Sequence, residues 1–126
     1  MAEMGEMIRG AHVLLFSKDA DADRAFVQNV LQFRAVDAGH GWLIFALPPS
    51  EMAVHPADVQ DGTGVPELQA SLYLMCSDIR AFIKSMEAKE VVCSSIATER
   101  WGLRTSMRLP SGGELGVYQP THPTAI

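Results

Sequence analysis

The side chains best suited to chemistry in this sequence are aromatic residues with polar tips that recur at the spacing of β-strands. Tyr73 and Tyr118 fall in two predicted strands, and the segment from Glu99 to Arg104, which contains Trp101, is the densest polar and aromatic cluster of the chain. Aromatic faces favour flat or cationic ligands, and small-molecule sites are mostly apolar with a few polar groups. The sequence therefore favours recognition of a small molecule. The alternative is that these side chains pack against one another or are buried in a dimer.

The elements that must position these side chains follow a pattern that occurs twice. Residues 12–19 and 71–78 are apolar runs that each close on Asp, and the tripeptide Arg-Ala-Phe follows at 24–26 and again at 80–82. Two copies at a period of about 60 residues are too few and too long for a solenoid. We therefore predict two supersecondary units that share one fold.

Hydrophobic periodicity predicts the order β-α-β-β-β in each half. We expect one domain, 1–126, made of a first module at 8–56, a linker at 57–67 and a second module at 68–120. The expected elements are strands at 12–17, 33–36, 41–47 and 51–55 with a helix that ends near Gln32, then strands at 69–76, 91–97, 101–109 and 114–119 with a helix at 78–89. This order predicts an α+β fold in which two tandem βαβββ modules form a curved mixed sheet with the helices on its convex side.

Strand alternation divides the side chains between the two faces of that sheet. The residues predicted to pack under the helices are Val13, Leu15, Val54, Leu72, Leu74, Cys76 and Val117. The residues predicted to share the concave face are His12, Leu14, Phe16, Ala53, His55, Ser71, Tyr73, Met75, Gly116 and Tyr118. Trp42 or Trp101 joins them, depending on strand parity.

Length and composition exclude several classes of function. With 126 residues, of which 48% are hydrophobic and 20% charged, the chain suits one globular domain. A net charge of −5, with Lys and Arg scattered along the chain, argues against nucleic acid as a partner. No apolar run approaches the ~20 residues of a membrane span, the first residues lack the features of a signal peptide, and the two cysteines lack CxxC spacing. We therefore expect a cytoplasmic protein, and exposed sheet edges predict a homodimer.

The sequence resembles the vicinal oxygen chelate superfamily, which includes glyoxalase I, extradiol dioxygenases, and fosfomycin- and bleomycin-resistance proteins. The resemblance covers Ile8 to Pro120. Its marks are an H-x-x-L-x-x-x-D start, an F-Y/V-x-x-x-L-x-F stretch and a late P-x-G-G turn, found here as His12, Leu15 and Asp19, as Phe26, Val27, Leu31 and Phe33, and as Pro110 to Gly113. The fold that this resemblance implies is the one predicted above.

Metal-using members of that superfamily hold a divalent ion with residues on the first and last strands of each module. The corresponding places here are His12, Ala53, Ser71 and Gly116. Only the first is a normal ligand, whereas a divalent ion in a catalytic site needs about three protein ligands. The resemblance therefore implies no complete metal site, and we expect no cofactor.

Two further residues offer an alternative metal set. His55 and Glu114 each lie two residues from a lost ligand place, so His12, His55 and Glu114 would form a His-His-carboxylate set suited to Fe(II), Mn(II) or Zn. The other interpretation is that His12 and His55 are partly buried and hydrogen-bond to Tyr73 or Tyr118.

The leading functional hypothesis is a small-molecule-binding protein similar to the metal-independent antibiotic-resistance members of the superfamily. Its predicted ligand-binding residues are His12, Leu14, Phe16, His55, Tyr73, Met75, Trp101, Arg104 and Tyr118. One alternative is a metal-dependent enzyme, either an extradiol-type dioxygenase or a glyoxalase-like lyase or isomerase. Another is a purely structural or interaction domain.

Arg104, His40 and His122 are three polar residues with different expected roles. In the resembling family a Trp-Gly-x-Arg stretch begins a strand near the pocket mouth, so Arg104 is expected to hold a ligand carboxylate or phosphate. The alternative is that Arg104 pairs with Glu87 or Glu90 on the second helix. His40, at a turn, and His122, in the proline-rich tail, are expected to be solvated, and neither has a nucleophile nearby in the sequence that would suggest a catalytic triad.

Overall fold

The computed structural model describes residues 7–56 and 68–126. The predicted linker at 57–67 lies outside the described residues. The helices and strands with defined bounds in the described residues are, in chain order, α1 (Ala20–Asn29), β1 (Ala35–Asp37), β2 (Leu43–Phe45), β3 (Tyr73–Met75), α2 (Ile79–Ala88), β4 (Ala97–Glu99), β5 (Gly102–Arg108) and β6 (Glu114–Pro120). The chain is therefore an α+β protein, as its sequence predicts.

Both helices begin at the Asp that closes each apolar run of the repeat. The carboxylates of Asp19 and Asp78 cap α1 and α2 by accepting hydrogen bonds from the backbone N–H three residues later, at 3.2 Å and 3.1 Å. Shortly after each helix the backbone turns left-handed, at Gln32 with φ 61° and at Glu90 with φ 62°. The predicted helices are confirmed, although α1 ends at Asn29 rather than near Gln32. Each helix has ten residues, and no helix in the described part of the chain could span a bilayer.

The second module supplies a four-stranded mixed sheet. Its strand order is β3-β6-β5-β4, in which β3 runs parallel to β6 and the other neighbours are antiparallel. The strand predicted at 91–97 is wrong in its bounds, because that segment contributes only an isolated bridge between Cys93 and Met107 before β4 begins. The long pair β5 and β6 therefore forms the centre of the sheet.

One face of this sheet forms the hydrophobic core together with the helices. The buried cluster consists of Phe26, Met86, Val91, Met107, Leu115 and Val117, and its partly buried neighbours include Leu72, Leu74 and Cys76. The prediction that the last three residues and Val117 lie under the helices is therefore confirmed. Because Phe26 belongs to α1, the helix of the first module packs into a core that the second module builds.

A buried carboxylate fixes α1 against the turn that joins β5 to β6. Asp23 accepts hydrogen bonds from Ser17 Oγ at 2.6 Å, from Ser111 Oγ at 2.7 Å and from Ser111 N at 3.0 Å. Burial alone raises the pKa of the Asp23 carboxyl, but the three hydrogen bonds outweigh burial and hold that pKa below its ordinary value. The ionised side chain therefore ties the two modules together.

The first module departs from its predicted structure. β1 and β2 form a separate two-stranded antiparallel sheet, and the strands predicted at 12–17 and 51–55 are wrong, since neither segment is a strand. Val13, Leu15 and Val54 were expected under the helices but are 45%, 56% and 88% exposed. The single curved sheet expected from the sequence is therefore two sheets in the described residues.

The strands predicted at 12–17 and 51–55 are wrong because the alternation of side chains along a segment specifies only part of a sheet. A period of two determines which side chains share a face, but it does not determine which strand lies alongside. Among the described residues, the backbone of 12–16 forms no hydrogen bond with a neighbouring segment. The pattern of a strand is therefore present there without the pairing that would make it one.

Candidate functional site

Three aromatic rings meet on the sheet face opposite the helices. Tyr73, Trp101 and Tyr118, which we call the aromatic cluster, contact one another edge to face, with ring centroids 5.7 Å apart for Tyr73 and Trp101, 6.0 Å for Tyr73 and Tyr118, and 5.0 Å for Trp101 and Tyr118. This geometry is the preferred one for aromatic pairs, because the positive edge of one ring faces the negative face of the next. The cluster is therefore held together by its own rings, and Tyr73 remains 42% exposed.

The strand register explains why these rings converge. Tyr73 lies beside Gly116 on the parallel pair β3 and β6, and Tyr118 lies opposite Arg104 on the antiparallel pair β5 and β6. Side chains directly opposite each other on paired strands project to the same face. The prediction that Tyr73, Gly116 and Tyr118 share a face is confirmed, and so is their separation from Val117 in the core.

Two glycines make room for the rings. A Cβ atom at Gly116 would overlap the ring of Tyr73, and a Cβ atom at Gly102 would overlap the carbonyl oxygen of Gln119 and lie 3.1 Å from Tyr118 Cδ2. Gly102 also has a backbone φ of 156°, which residues other than glycine rarely adopt. The missing side chains are thus part of how the cluster packs.

Trp101, not Trp42, belongs to this face. Trp42 is 64% exposed beside the β1–β2 turn, with the Arg24 guanidinium 5.1 Å from its ring centroid. That turn is fixed by Asp37, whose carboxylate accepts from the backbone of Gly39 at 2.7 Å. The choice between Trp42 and Trp101, which the sequence left open, is therefore resolved in favour of Trp101. Trp42 is an exposed aromatic residue outside the cluster.

Arg104 is a positively charged residue that lies opposite Tyr118 on the paired strands β5 and β6. Its Nη2 donates to Glu99 Oε1 at 3.0 Å, and both side chains are 34% exposed. The alternative pairing of Arg104 with Glu87 or Glu90 is therefore wrong, because β4 rather than α2 supplies the carboxylate. One bond to Glu99 uses only one of the five N–H donors of the guanidinium.

His122 contacts the cluster, which the sequence did not predict. Its Nε2 lies 3.0 Å from the Tyr118 hydroxyl oxygen, its ring stacks on Tyr118 with centroids 5.9 Å apart, and its Nδ1 lies 2.7 Å from the Pro123 carbonyl oxygen. The expectation that His122 is merely solvated is wrong. The signal available in the sequence was its spacing of four residues from Tyr118 across the end of β6.

The tail that carries His122 is attached to both modules. Thr121 N donates to the carbonyl oxygen of Trp101 at 3.0 Å, and Ala125 N donates to Glu51 Oε1 at 2.7 Å. Burial, and secondarily the negative charge of Glu51, raise the pKa of the Tyr118 hydroxyl. Tyr118 therefore stays protonated at neutral pH and remains able to donate a hydrogen bond.

The predicted ligand-binding residues of the first module lie elsewhere. His12 and His55 are exposed, and Leu14 and Phe16 are 66% and 93% exposed. Phe16 lines a hollow of about 430 Å³ together with Ser17, Lys18, Ser111, Gly112 and Gly113. A second hollow of about 340 Å³ lies between Phe26, Val30, Lys89, Glu90, Val91, Val92, Arg108, Leu109 and Pro110. Neither hollow is lined by the aromatic cluster.

The residues at the family's metal-binding places do not fit an ion. Ala53 and Gly116 have no donor atom, and the Tyr73 ring occupies the space that a side chain at Gly116 would need. Among residues 7–56 and 68–126, no group of three or more His, Cys, Asp or Glu side chains is placed to hold a metal. The alternative set of His12, His55 and Glu114 is thus not assembled in this structure.

No protein-family model and no curated protein matches the sequence. Solved structures nevertheless share its fold. An antibiotic-binding protein, TnmS3 from Streptomyces sp. CB03234, aligns with a TM-score of 0.54 at 16% identity over 90% of this chain and 99% of that one. The lactoylglutathione lyase of Agrobacterium tumefaciens aligns with a TM-score of 0.58 at 18% identity, covering 89% of this chain and 94% of that one.

An integron cassette protein from the mobile metagenome of a Halifax Harbour sewage outfall aligns with a TM-score of 0.56 at 17% identity, over 89% of this chain and 99% of that one. These structures are members of one fold group. The chain has the vicinal oxygen chelate fold, also called the glyoxalase/bleomycin-resistance fold. The α+β fold class predicted from the sequence is therefore confirmed, although its strands form two sheets in the described residues.

Proposed function

We propose that this protein binds a small, flat aromatic molecule on the sheet face around the aromatic cluster, without coordinating it through a metal ion. The observation that carries the proposal is the mutual edge-to-face packing of Tyr73, Trp101 and Tyr118 with Tyr73 still 42% exposed. A rigid group of rings offers a large apolar contact area at little cost in side-chain entropy. The fold that this chain shares with an antibiotic-binding protein supports the same proposal.

Polar groups around the cluster would orient the ligand. Arg104, paired with Glu99, can donate further hydrogen bonds to a carboxylate or phosphate on the ligand. The Tyr118 hydroxyl supplies a second polar contact next to the rings. Together with Met75, which is half-buried on β3 beside Tyr118, these residues form the second-module part of the proposed site.

We further propose that the protein is a homodimer in which a second copy covers the first module. Its exposed apolar side chains include Val13, Leu14, Leu15, Phe16, Met52 and Val54. Adjacent apolar residues of this kind in a segment without backbone pairing are typical of an association surface. In such a dimer the remaining predicted ligand-binding residues, His12, Leu14, Phe16 and His55, would be brought against a second copy. We also propose a cytoplasmic location, which suits the two free cysteines, Cys76 and Cys93.

Calorimetric titration with 2-naphthol tests the binding proposal. We expect saturable binding to the wild-type protein and a loss of at least about tenfold in affinity for Trp101→Ala, corresponding to about 1.4 kcal/mol. Trp42→Ala is the matched control, because it removes the same side chain from outside the cluster and should leave the affinity unchanged. Since Trp101→Ala could also loosen the fold, Tyr73→Leu at the exposed edge of the cluster provides a second variant, and it should weaken binding as well. Equal losses in Trp101→Ala and Trp42→Ala, or no saturable heat with the wild-type protein, would overturn the proposal.

A further inference from the structure

The hydrogen bonds of His122 fix the position of its ring proton. Nδ1 lies 2.7 Å from the carbonyl oxygen of Pro123, and a carbonyl oxygen can only accept a hydrogen bond. Nδ1 of the neutral ring must therefore carry the proton, and Nε2 must carry the lone pair. This tautomer is assigned from the partner atoms, as for any histidine whose hydrogens are not seen directly.

The tautomer in turn fixes the proton of Tyr118. Nε2 lies 3.0 Å from the Tyr118 hydroxyl oxygen, and because Nε2 can only accept, Tyr118 must donate to it. The one hydroxyl proton of Tyr118 is then directed at His122. The hydroxyl oxygen can then act towards a ligand only as a hydrogen-bond acceptor, through its lone pairs.

We propose that His122 is a positioning residue that makes the Tyr118 hydroxyl a hydrogen-bond acceptor, so that the site selects flat aromatic ligands carrying an O–H or N–H donor over those with only acceptor groups. This inference rests on the function proposed above and specifies its ligand class. A ligand that brought only a carbonyl or ether oxygen to Tyr118 would face a lone pair rather than a proton. An unsatisfied polar contact of this kind discriminates between otherwise similar ligands.

The surroundings hold His122 in the geometry that this role requires. Thr121, the preceding residue, is bonded through its backbone N–H to the Trp101 carbonyl oxygen and through Oγ1 to the Arg100 carbonyl oxygen at 3.3 Å. On the other side, Ala125 N is bonded to the Glu51 carboxylate at 2.7 Å. The His122 ring is thus anchored on both sides along the chain and stacked on Tyr118, at an angle of 28° between the planes.

The first test reads the tautomer without any ligand. The two ring nitrogens of a neutral histidine give separate ¹⁵N signals, one of the protonated type and one of the unprotonated type. We expect Nδ1 of His122 to be the protonated nitrogen and Nε2 the unprotonated one at a pH where the ring is neutral. The reverse assignment would overturn the inference, because Tyr118 would then accept from His122 and present its own proton to the ligand.

The second test compares two probes of one ring system, 2-naphthol with a donor and 2-methoxynaphthalene without one. We expect His122→Phe, which keeps a stacked ring but has no nitrogen, to lower the affinity ratio of naphthol to methoxynaphthalene by at least about threefold, or about 0.65 kcal/mol. Differences in size between the probes cancel, because the ratio in the variant is compared with the ratio in the wild-type protein. Tyr118→Phe should lower the ratio in the same way.

The outcomes separate this inference from the proposed function. If the wild-type protein binds neither probe, the proposed function fails. If it binds both and the ratio is unchanged in His122→Phe, the site stands and the role of His122 is wrong. Thermal unfolding of His122→Phe should match that of the wild-type protein, because the phenyl ring keeps the stacking on Tyr118 and the backbone hydrogen bonds of Thr121 and Ala125 are unchanged. Pro123→Ala, which keeps the carbonyl acceptor, should preserve the ratio.

Discussion

The two modules carry the same pattern of elements but differ in how their apolar side chains are used. In the second module, Leu115 and Val117 are 7% and 1% exposed and lie in a core that both helices cover. In the first module, Met52 and Val54 occupy a comparable place near the end of the repeat and are each 88% exposed. The first module contributes to the core chiefly through α1, by way of Phe26.

The packed core that stabilises the chain is therefore formed by the second module together with α1. Four strands in register bury their side chains on one face, and Asp23 ties α1 to the β5–β6 turn. The apolar surface of the first module contributes little to this core. This exposed surface is where we propose that a second copy associates, and the face opposite the core is where we propose that a ligand binds.

The largest expected effect contrasts one residue type in the two regions. Met107→Ala should lower the free energy of unfolding by about 2–5 kcal/mol, because it leaves a cavity in the closed core. Met52→Ala should change it by less than about 0.5 kcal/mol in dilute solution, because the side chain is solvated there. Urea unfolding at low protein concentration measures both. Comparable losses in the two variants would show that the first module is packed as tightly as the second.

The next expected effect concerns association of the first module. Phe16→Asp should weaken self-association by at least about a hundredfold, or about 2.7 kcal/mol, because a charge would enter an apolar interface. Light scattering across a dilution series would show the molar mass of a monomer where the wild-type protein is a dimer. Val92→Asp, at a residue 62% exposed in the second module, is the control and should leave the mass unchanged. A wild-type protein that is monomeric throughout the series would refute the proposed dimer.

The hydrogen bonds that Asp23 makes between the modules predict that the free energy of unfolding depends on pH. Ser111→Ala removes one hydrogen bond to the Asp23 carboxylate and should cost about 1.5–3 kcal/mol at neutral pH. Because the pKa of Asp23 is lower in the folded chain than in the unfolded one, this carboxylate stabilises the fold above its unfolded pKa. That contribution is lost as the pH falls through the lower, folded pKa.

Denaturant unfolding of wild type and Ser111→Ala over a series of pH values provides the measurement. The difference in free energy of unfolding between the wild-type protein and Ser111→Ala should become smaller as the pH is lowered. Asp21→Asn, at an exposed carboxylate paired only with Arg24, is the control and should shift stability by less than about 0.5 kcal/mol at any pH. A difference that becomes larger on acidification would show that the ionised Asp23 carboxylate is not what stabilises the contact with Ser111.

The smallest expected effect concerns the packing of the aromatic cluster. Gly116→Ala should cost about 1 kcal/mol, at the low end for overpacking, because the half-exposed Tyr73 ring can move outwards. In a Tyr73→Ala background the same substitution should cost nothing, since the overlapping ring is gone. The double-variant comparison therefore measures the contact directly. Equal costs in the two backgrounds would mean that the glycine is required for another reason.

Much of the second module could be predicted from its sequence. Asp78 marked the start of α2, and alternation along β3 and β6 placed Leu74 and Val117 in the core and Tyr73 and Tyr118 on the opposite face. These predictions succeed because each depends on a local period or a cap. The pattern of the first module is as regular, but its strands at 12–17 and 51–55 need a neighbouring strand, and no local signal supplies one.

The site was predicted only in part for the same reason. Tyr73 and Tyr118 could be placed by parity, whereas the choice between Trp101 and Trp42 stayed open. Parity also did not show that the three rings contact one another. Glu99 as the partner of Arg104 and His122 as the partner of Tyr118 depend on the β4–β5 register and on the path of the tail. Each partner lies within five residues of the side chain that it contacts. The sequence therefore brought the partners near, but it did not show how the backbone turns between them.

The central claim is that recognition depends on the aromatic cluster and not on a bound ion. Its most direct test is calorimetric titration of 2-naphthol into protein stripped with a chelator, repeated after addition of Mn(II), Zn or, under anaerobic conditions, Fe(II). We expect the same affinity in every case, within about twofold. Binding that occurs only after a metal is added and disappears in both His12→Ala and His55→Ala would contradict it.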